Sequence, residues 1–473
     1  MHPLPTLNYD ILHLLMSFSS KREVCNIMAT CKTLHREGAK FLLHDVTLQD
    51  ERDIRSFTQF IAADPYRRIR YWRTLILTCG SVNPDTALLF RVLLEFAGPF
   101  LGLKYLRLHE PDDLLGSDLA LIQAFSRIPH ISMLHFSTPG ALSFDLLQRM
   151  SGCVHTAILD CERSRAVHPL EESNPILALR ALRNTLVEIS GYGVKANTTS
   201  DLCAGVVFPH VRKLRLETSD AIDSAAYARA FPNLAVLYFS CRYSIHGGID
   251  EEERAELTVH RERNRTLLRE RGGWSLLESY NGSPIDLWAL GLDATVERLR
   301  LFMGPMHDGQ QTIVSGVFEE LMRDIRVKHI HLDVWMARAA HDTLTALSRT
   351  CRELNHLGLY VVFNPKELLT DVTAMLDALV EYAGCSSLQS LDVSLQCMDI
   401  IPSPLEDDAG MSPVTLSPGE CVRILDLETL AARIHSRAPS LRNISLDLWI
   451  KSEEVQTLHR GDEIPSPEQW EWA

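Results

Sequence analysis

The chain lacks the local signatures of most enzyme classes. It has no Cys-x-x-Cys pair, no Gly-x-Gly-x-x-Gly, no P-loop, no His-Glu-x-x-His and no Gly-x-Ser-x-Gly. These gaps leave no zinc ribbon, nucleotide cradle, zincin or hydrolase nucleophile elbow to build on. Basic residues are outnumbered, 47 Lys and Arg against 61 Asp and Glu, for a net charge of −14. Such a balance disfavours non-specific nucleic-acid binding, in which lysines and arginines displace counterions, though it leaves room for a local basic patch. No apolar run reaches the ~18 residues that span a bilayer. The opening Met1-His2-Pro3-Leu4-Pro5 lacks the basic and apolar segments of a signal peptide, and the last residues carry no lipidation signal. The eleven cysteines are scattered and odd in number, which fits thiols in a reducing compartment. A cytoplasmic or nuclear protein without a membrane partner is expected. What is present is ordinary globular material: 46% hydrophobic and 23% charged residues.

Residues 1–45 read as three short helices. The first carries Tyr9, Ile11, Leu12, Leu14, Leu15, Met16 and Phe18, apolar nearly all round. Ser20 and Glu23 form a capping-box pattern. Val24, Ile27, Met28 and Cys31 then mark one buried helical face, and a third helix carries Leu34, Phe41 and Leu42. Three helices in so few residues do not bury an all-round apolar helix, so its surplus face must meet the following domain or another protein.

The pattern Leu4-Pro5, Ile11-Leu12, Leu15-Met16, Phe18, Val24, Thr30-Cys31-Lys32 and Leu34 resembles an F-box. Ser19 after Phe18 and the absence of a tryptophan after Lys32 depart from that motif. The resemblance implies a module that binds the Skp-family adaptor of cullin–RING ubiquitin ligases, with Leu4, Pro5, Ile11, Leu12 and Leu15 as contacts. The rest of the chain would then present a client protein for ubiquitin conjugation, and the protein itself would be no enzyme.

After residue 45 one template, apolar-x-x-apolar-x-apolar, recurs, usually at intervals of about 20 to 34 residues. It reads as Trp72-Leu75-Leu77, Leu103-Leu106-Leu108, Ile131-Leu134-Phe136, Val154-Ala157-Leu159, Val211-Leu214-Leu216 and Leu234-Leu237-Phe239. It continues as Val296-Leu299-Leu301, Val327-Ile330-Leu332, Leu354-Leu357-Leu359, Leu388-Leu391-Val393 and Leu441-Ile444-Leu446, with a weaker copy near Leu186-Val187-Ile189. The end of each copy alternates as a strand does. Helical periodicity fills the intervals, opened by Asn-Pro at Asn83-Pro84 and Asn364-Pro365. The repeat resembles a leucine-rich repeat without its usual asparagine. The expected fold is α/β: a leucine-rich-repeat-like solenoid over 46–450, with a parallel concave sheet and convex helices, behind the F-box-like helical module. A doubly wound α/β domain is the rival, disfavoured by the missing Gly-rich loop.

Two insertions break the rhythm. Residues 250–271 read as a solvated charged helix, acidic first and arginine-rich last. Residues 401–420, rich in proline and serine, read as a flexible loop, and 451–473 as a loose acidic tail. Gly191-Tyr192-Gly193 reads as a turn. His329, His331 and Asp333 share one strand face and read as polar surface; neither a metal site nor a cofactor is expected. The concave face is the candidate client surface, with Arg107, Arg215, Tyr238, Arg300, His331 and Trp449 on it. An acidic client segment would lie across Arg107, Arg215 and Arg300. Arginine and aromatic residues of this kind dominate interface energetics. The alternative function is a leucine-rich-repeat protein-interaction scaffold with no ubiquitin-ligase role, whose first helices cap the repeats.

Overall fold

A computed structural model describes residues 9–162, 173–196, 203, 205–241, 249–304, 308–363, 369–397, 426–451 and 454–460. Leu4, Pro5, the Asn364-Pro365 cap and the 401–420 segment lie outside them. The fold is α/β, with mostly parallel strands taken in chain order and helices between them. It divides into two compact units, residues 1–219 and 220–473.

The first unit opens with α1 (Tyr9–Phe18), α2 (Lys21–Met28) and α3 (Lys32–His44). Then come β1 (Asp45–Leu48), α4 (Glu51–Ala62), α5 (Pro65–Arg68), β2 (Thr74–Leu77) and α6 (Pro84–Ala97). Next are β3 (Tyr105–His109), α7 (Pro111–Ser117), α8 (Ala120–Ser126), β4 (Met133–Ser137) and α9 (Ala141–Arg149). The unit closes with β5 (Thr156–Asp160), α10 (Pro175–Ala178), β6 (Glu188–Val194) and β7 (Lys213–Thr218). Each strand pairs in parallel with the next, and the register stacks the template on itself. Val46, Leu75, Leu106, Leu134, Ala157, Ile189 and Leu214 form one buried ladder. Such a ladder grows one repeat at a time without enlarging a single core.

The second unit contains α11 (Ser224–Ala230), β8 (Val236–Cys241), α12 (Glu251–Arg271), β9 (Leu276–Gly282), α13 (Pro284–Ala289), β10 (Thr295–Met303) and α14 (Asp308–Asp324). It continues with β11 (Arg326–Trp335), α15 (Ala337–Thr350), β12 (His356–Phe363), α16 (Leu369–Cys385), β13 (Ser390–Cys397), α17 (Leu427–Arg437), β14 (Asn443–Lys451) and β15 (Glu454–Arg460). Its ladder runs Leu237, Tyr280, Leu299, Ile330, Leu357, Leu391 and Ile444.

Local chemistry accounts for the element ends. Ser20 and Glu23 make the expected capping box. Asn83 caps α6, its Oδ1 accepting from the Asp85 N–H at 2.9 Å ahead of Pro84 at the first helical position. In place of an asparagine ladder, side chains bridge neighbouring repeats. The Asp112 carboxylate of α7 accepts from the N–H groups of Gly140, Leu142 and Ser143 at the start of α9, at 2.9, 2.9 and 3.0 Å.

Five expectations are corrected. First, the template begins earlier than the sequence suggests. Leu43, at the end of α3, is buried with Val46 and Leu48 and supplies the first apolar position of the first copy. Second, a further copy, Leu277-Tyr280-Gly282, makes β9. A Cβ on Gly282 would meet the Phe239 carbonyl and the Tyr280 ring, so Tyr280 occupies the space that an apolar third residue fills elsewhere. Third, Gly191-Tyr192-Gly193 is strand, with a register shift between Tyr192 and Val194 where Gly193 takes φ +62°. Fourth, α12 is not simply solvated. Asn264 is buried; it donates to the carbonyls of Ile222 (3.1 Å) and Ala289 (3.0 Å) and accepts from Ser224 N–H (3.3 Å). Arg261 is also buried, ion-paired with Asp324 and stacked 4.8 Å from the Trp288 ring centroid. The charge pattern hid this docked stripe. Fifth, residues 454–460 of the supposed tail form β15, antiparallel to β14.

Candidate interaction surfaces

The three opening helices close on a small cluster of Met16, Val24, Met28 and Leu34, against which Leu12, Ile27, Phe41, Leu42 and Phe60 pack. Gly38 makes the close approach possible: a Cβ there would collide with the side chains of Met28 and Met16. This commits one side of α1. The other side carries Ile11, Leu14, Leu15 and Phe18 at i, i+3, i+4 and i+7, a single helical face. All four are exposed, Phe18 by 84% and Leu15 by 51%. Of the residues expected to touch an adaptor, Ile11 and Leu15 therefore stand in solvent, whereas Leu12 belongs to the internal cluster. Leu14 and Phe18 complete the outer stripe; their spacing from Ile11 was the signal for them.

The open face of each sheet is the second candidate. In the first unit the register aligns Thr47, Ile76, Arg107, His135, Ile158, Ser190 and Arg215 in one row. Arg107 and Arg215 are four strands apart in it, about 19 Å at the usual strand spacing. Arg215 is paired with Glu217 at 2.7 Å and lies 5.1 Å from the Tyr192 ring centroid.

In the second unit the corresponding row is Tyr238, Asn281, Arg300, His331, Gly358, Asp392 and Ser445. Three residues singled out from the sequence thus share a row, and the flanking rows complete a polar network. Arg300 pairs with Asp333 at 2.9 Å, and His331 Nε2 lies 3.0 Å from the other Asp333 oxygen. Burial alone would raise the Asp333 carboxyl. The His331 hydrogen bond and the charges of His331 and Arg300 outweigh it and hold the carboxyl below the ordinary range. A Cβ on Gly358 would strike His331 Nδ1, so only glycine lets this imidazole lie across β12.

Beside it, His356 Nε2 is 3.6 Å from Asp392 Oδ2, and the His329 and His356 rings are 6.1 Å apart. Burial first, then the neighbouring His329 and His331, push His356 down to about 4. Burial, with Asp447 nearby, raises Asp392 to about 6. Trp449 donates from Nε1 to Ser394 Oγ at 3.0 Å, and Ser445 Oγ meets His459 Nδ1 at 2.8 Å. Arg215 and Arg300 thus hold carboxylates of their own strands' neighbourhood, Glu217 and Asp333, which an acidic client segment lying across them would have to displace.

Among the described residues there is no group of three or more His, Cys, Asp or Glu arranged to hold a metal ion. No described helix is long and apolar enough to cross a membrane. No family model matches the chain, and comparison with curated proteins gives no significant match.

Proposed function

We propose that this chain is a substrate-recognition subunit of a cullin–RING ubiquitin ligase. In this reading the α1 module binds a Skp-family adaptor, and a leucine-rich-repeat-like solenoid holds a protein client in the cytoplasm or nucleus. The observation that carries it is the outer stripe of α1. Four large apolar side chains stand in solvent on a module whose inner face is already packed. Full burial of an exposed side chain of this kind gains about 1.5–3 kcal/mol, and the half-exposed Ile11, Leu14 and Leu15 retain roughly half of that to gain, which favours a partner at that face. The resemblance of residues 4–34 to an F-box supports a Skp-family adaptor as that partner. The polar sheet faces, with Arg107, Arg215, Tyr238, Arg300, His331 and Trp449, are the client surface in this reading.

One observation favours the second reading, a scaffold whose first helices cap the repeats. Leu43 belongs both to α3 and to the first buried strand layer. For the same reason, deleting residues 1–45 is a poor test, since it strips that layer. The better test is Ile11→Glu with Leu15→Glu, measured by titration against a purified Skp-family adaptor. The adaptor-binding reading expects a complex with the unaltered protein and at least about a 100-fold loss in the variant, as two buried side chains imply. No complex with the unaltered protein, or equal affinity for the variant, leaves the scaffold reading.

A further inference from the structure

A second apolar surface lies in the first unit, on helix α6. Asp85, Leu89, Val92 and Phe96 follow one another along one face with Leu88 beside them, while Phe90, Leu93, Leu94 and Ala97 turn inward and are buried. All five outward residues are exposed. The stripe continues past the helix end into Tyr66 and Phe100. The Tyr66 ring centroid is 5.7 Å from that of Phe96 and 6.2 Å from that of Phe100. Six large apolar side chains thus form one outward patch, an arrangement that monomeric proteins rarely leave open.

The charges at its two ends differ in sign. Asp85 stands at the N-terminal end, on the stripe itself. Beyond the C-terminal end is Arg73, and Arg70 precedes it by three residues in the chain. Arg73 donates to the Gly102 carbonyl at 2.9 Å, and Arg70 lies over the Tyr71 ring at 4.8 Å. Among the described residues none of these three charges takes part in an ion pair. The flank of the helix is neutralised locally, Arg91 holding Glu95 at 3.1 Å and Asp118 at 2.8 Å. The stripe is therefore apolar along its length, acidic at one end and basic at the other.

A surface of this kind is complementary to itself when turned end for end. We propose that α6 is a homodimerisation surface, on which a second copy of this chain packs its own α6 antiparallel about a two-fold axis. Each Asp85 then meets the Arg70 and Arg73 of the other copy, and Val92 lies near the axis. A fourteen-residue helix is about 21 Å long, so the acidic and basic ends are too far apart to meet within one copy. A two-fold arrangement satisfies both ends at once, which is the defining property of an isologous contact. This surface is separate from the α1 stripe, and its test does not depend on adaptor binding.

The test is sedimentation equilibrium of the full chain from about 1 to about 100 µM, the range in which a contact of modest size shows its concentration dependence. The unaltered protein is expected to dimerise, and Val92→Glu with Phe96→Glu to remain monomeric with an unchanged circular dichroism spectrum. Should that variant not fold, the end charges decide. Asp85→Arg is expected to weaken dimerisation at least ten-fold. Adding Arg70→Glu and Arg73→Glu to it, which exchanges the two ends, is expected to restore most of the loss. A monomer at every concentration overturns the proposal, as does a dimer indifferent to Val92→Glu with Phe96→Glu. Charge exchange that fails to restore association overturns the antiparallel arrangement.

Discussion

The two units use the same repeat and expose different things. Strands of the first unit are four to seven residues long, and those of the second six to ten. Among the described residues, the first unit leaves Ile11, Leu14, Leu15, Phe18, Tyr66, Leu88, Leu89, Val92, Phe96 and Phe100 exposed on or beside its helices. In the second, Leu276, Phe302, Trp335 and Trp449 are exposed on strands, and Val259 stands alone on α12. Longer strands add rows to the open face, so polar side chains find partners on the next strand. Short strands offer little such room, and the first unit presents apolar helix faces instead. One unit is therefore suited to gaining hydrophobic burial from a partner. In the other, a ligand must compete with contacts that already exist.

The sharpest way to break this contrast is to compare the inside and outside of the opening module. Leu43→Ala removes a fully buried side chain where α3 meets β1 and is expected to cost about 2–5 kcal/mol. Leu14→Ala, on the outer face of α1, is expected to change stability by no more than about 0.5 kcal/mol. Urea midpoints of the first unfolding transition measure both. Equal losses would mean that the outer face of α1 is already packed in the isolated chain, and the distinction between the two faces would go.

The same residues show how far the sequence could be read. Strands announced themselves wherever three apolar residues fell on the template, because period-two alternation survives any substitution among Leu, Ile, Val and Phe. The first copy was hidden because Leu43 sits in a helix that runs straight into β1, and the β9 copy because its third position is Gly282, whose missing side chain is replaced by the Tyr280 ring. The outer stripe of α1 was half legible: the excess of apolar residues was plain, but which of them turn inward depended on Gly38 admitting α3. The polar network was the least legible. His331 and Asp333 share a strand and could be paired from spacing alone, whereas Arg300, Asp392 and Ser445 join them only through register. The docked face of α12 was concealed because a buried asparagine and a buried arginine look, in sequence, like solvated ones.

A second prediction sets one ion pair of each sheet against the other. Asp333 is nearly buried and serves both Arg300 and His331. Asp333→Ala leaves two cationic or polar groups without their carboxylate and is expected to cost about 1–3 kcal/mol. Glu217 holds an Arg215 side chain that is 44% exposed. Glu217→Ala is expected to cost no more than about 1 kcal/mol, as surface pairs do. Similar losses in chemical denaturation would show that the network of the second unit is no tighter than the pair in the first.

The smallest effect is a matter of slope, and it tests whether the second unit's polar face is internally balanced. Asp392 is raised to about 6, so its contribution to stability is present below its ordinary value near 3.8 and is lost as pH rises through 6. His356 is lowered to about 4, so its contribution is present above its ordinary 6.5 and is lost as pH falls through 4. Between pH 6.5 and 4 the two slopes oppose, and the native protein should show a shallow dependence from this pair. A shift of two units corresponds to about 3 kcal/mol, and the partial exposure of both side chains lowers the expected effect to about 1–2 kcal/mol. Asp392→Asn removes one slope, so that variant should lose about 1–2 kcal/mol relative to the native protein between pH 6.5 and 4. His356→Gln removes the other and should gain a similar amount over the same window. His329, His331, Asp447 and His459 face the pair in all three proteins and largely cancel in the differences. Urea midpoints at pH 7, 5.5 and 4.5 read the slopes. Parallel profiles for all three would mean that this face titrates as separate surface groups, and its difference from the first unit would then be one of composition alone.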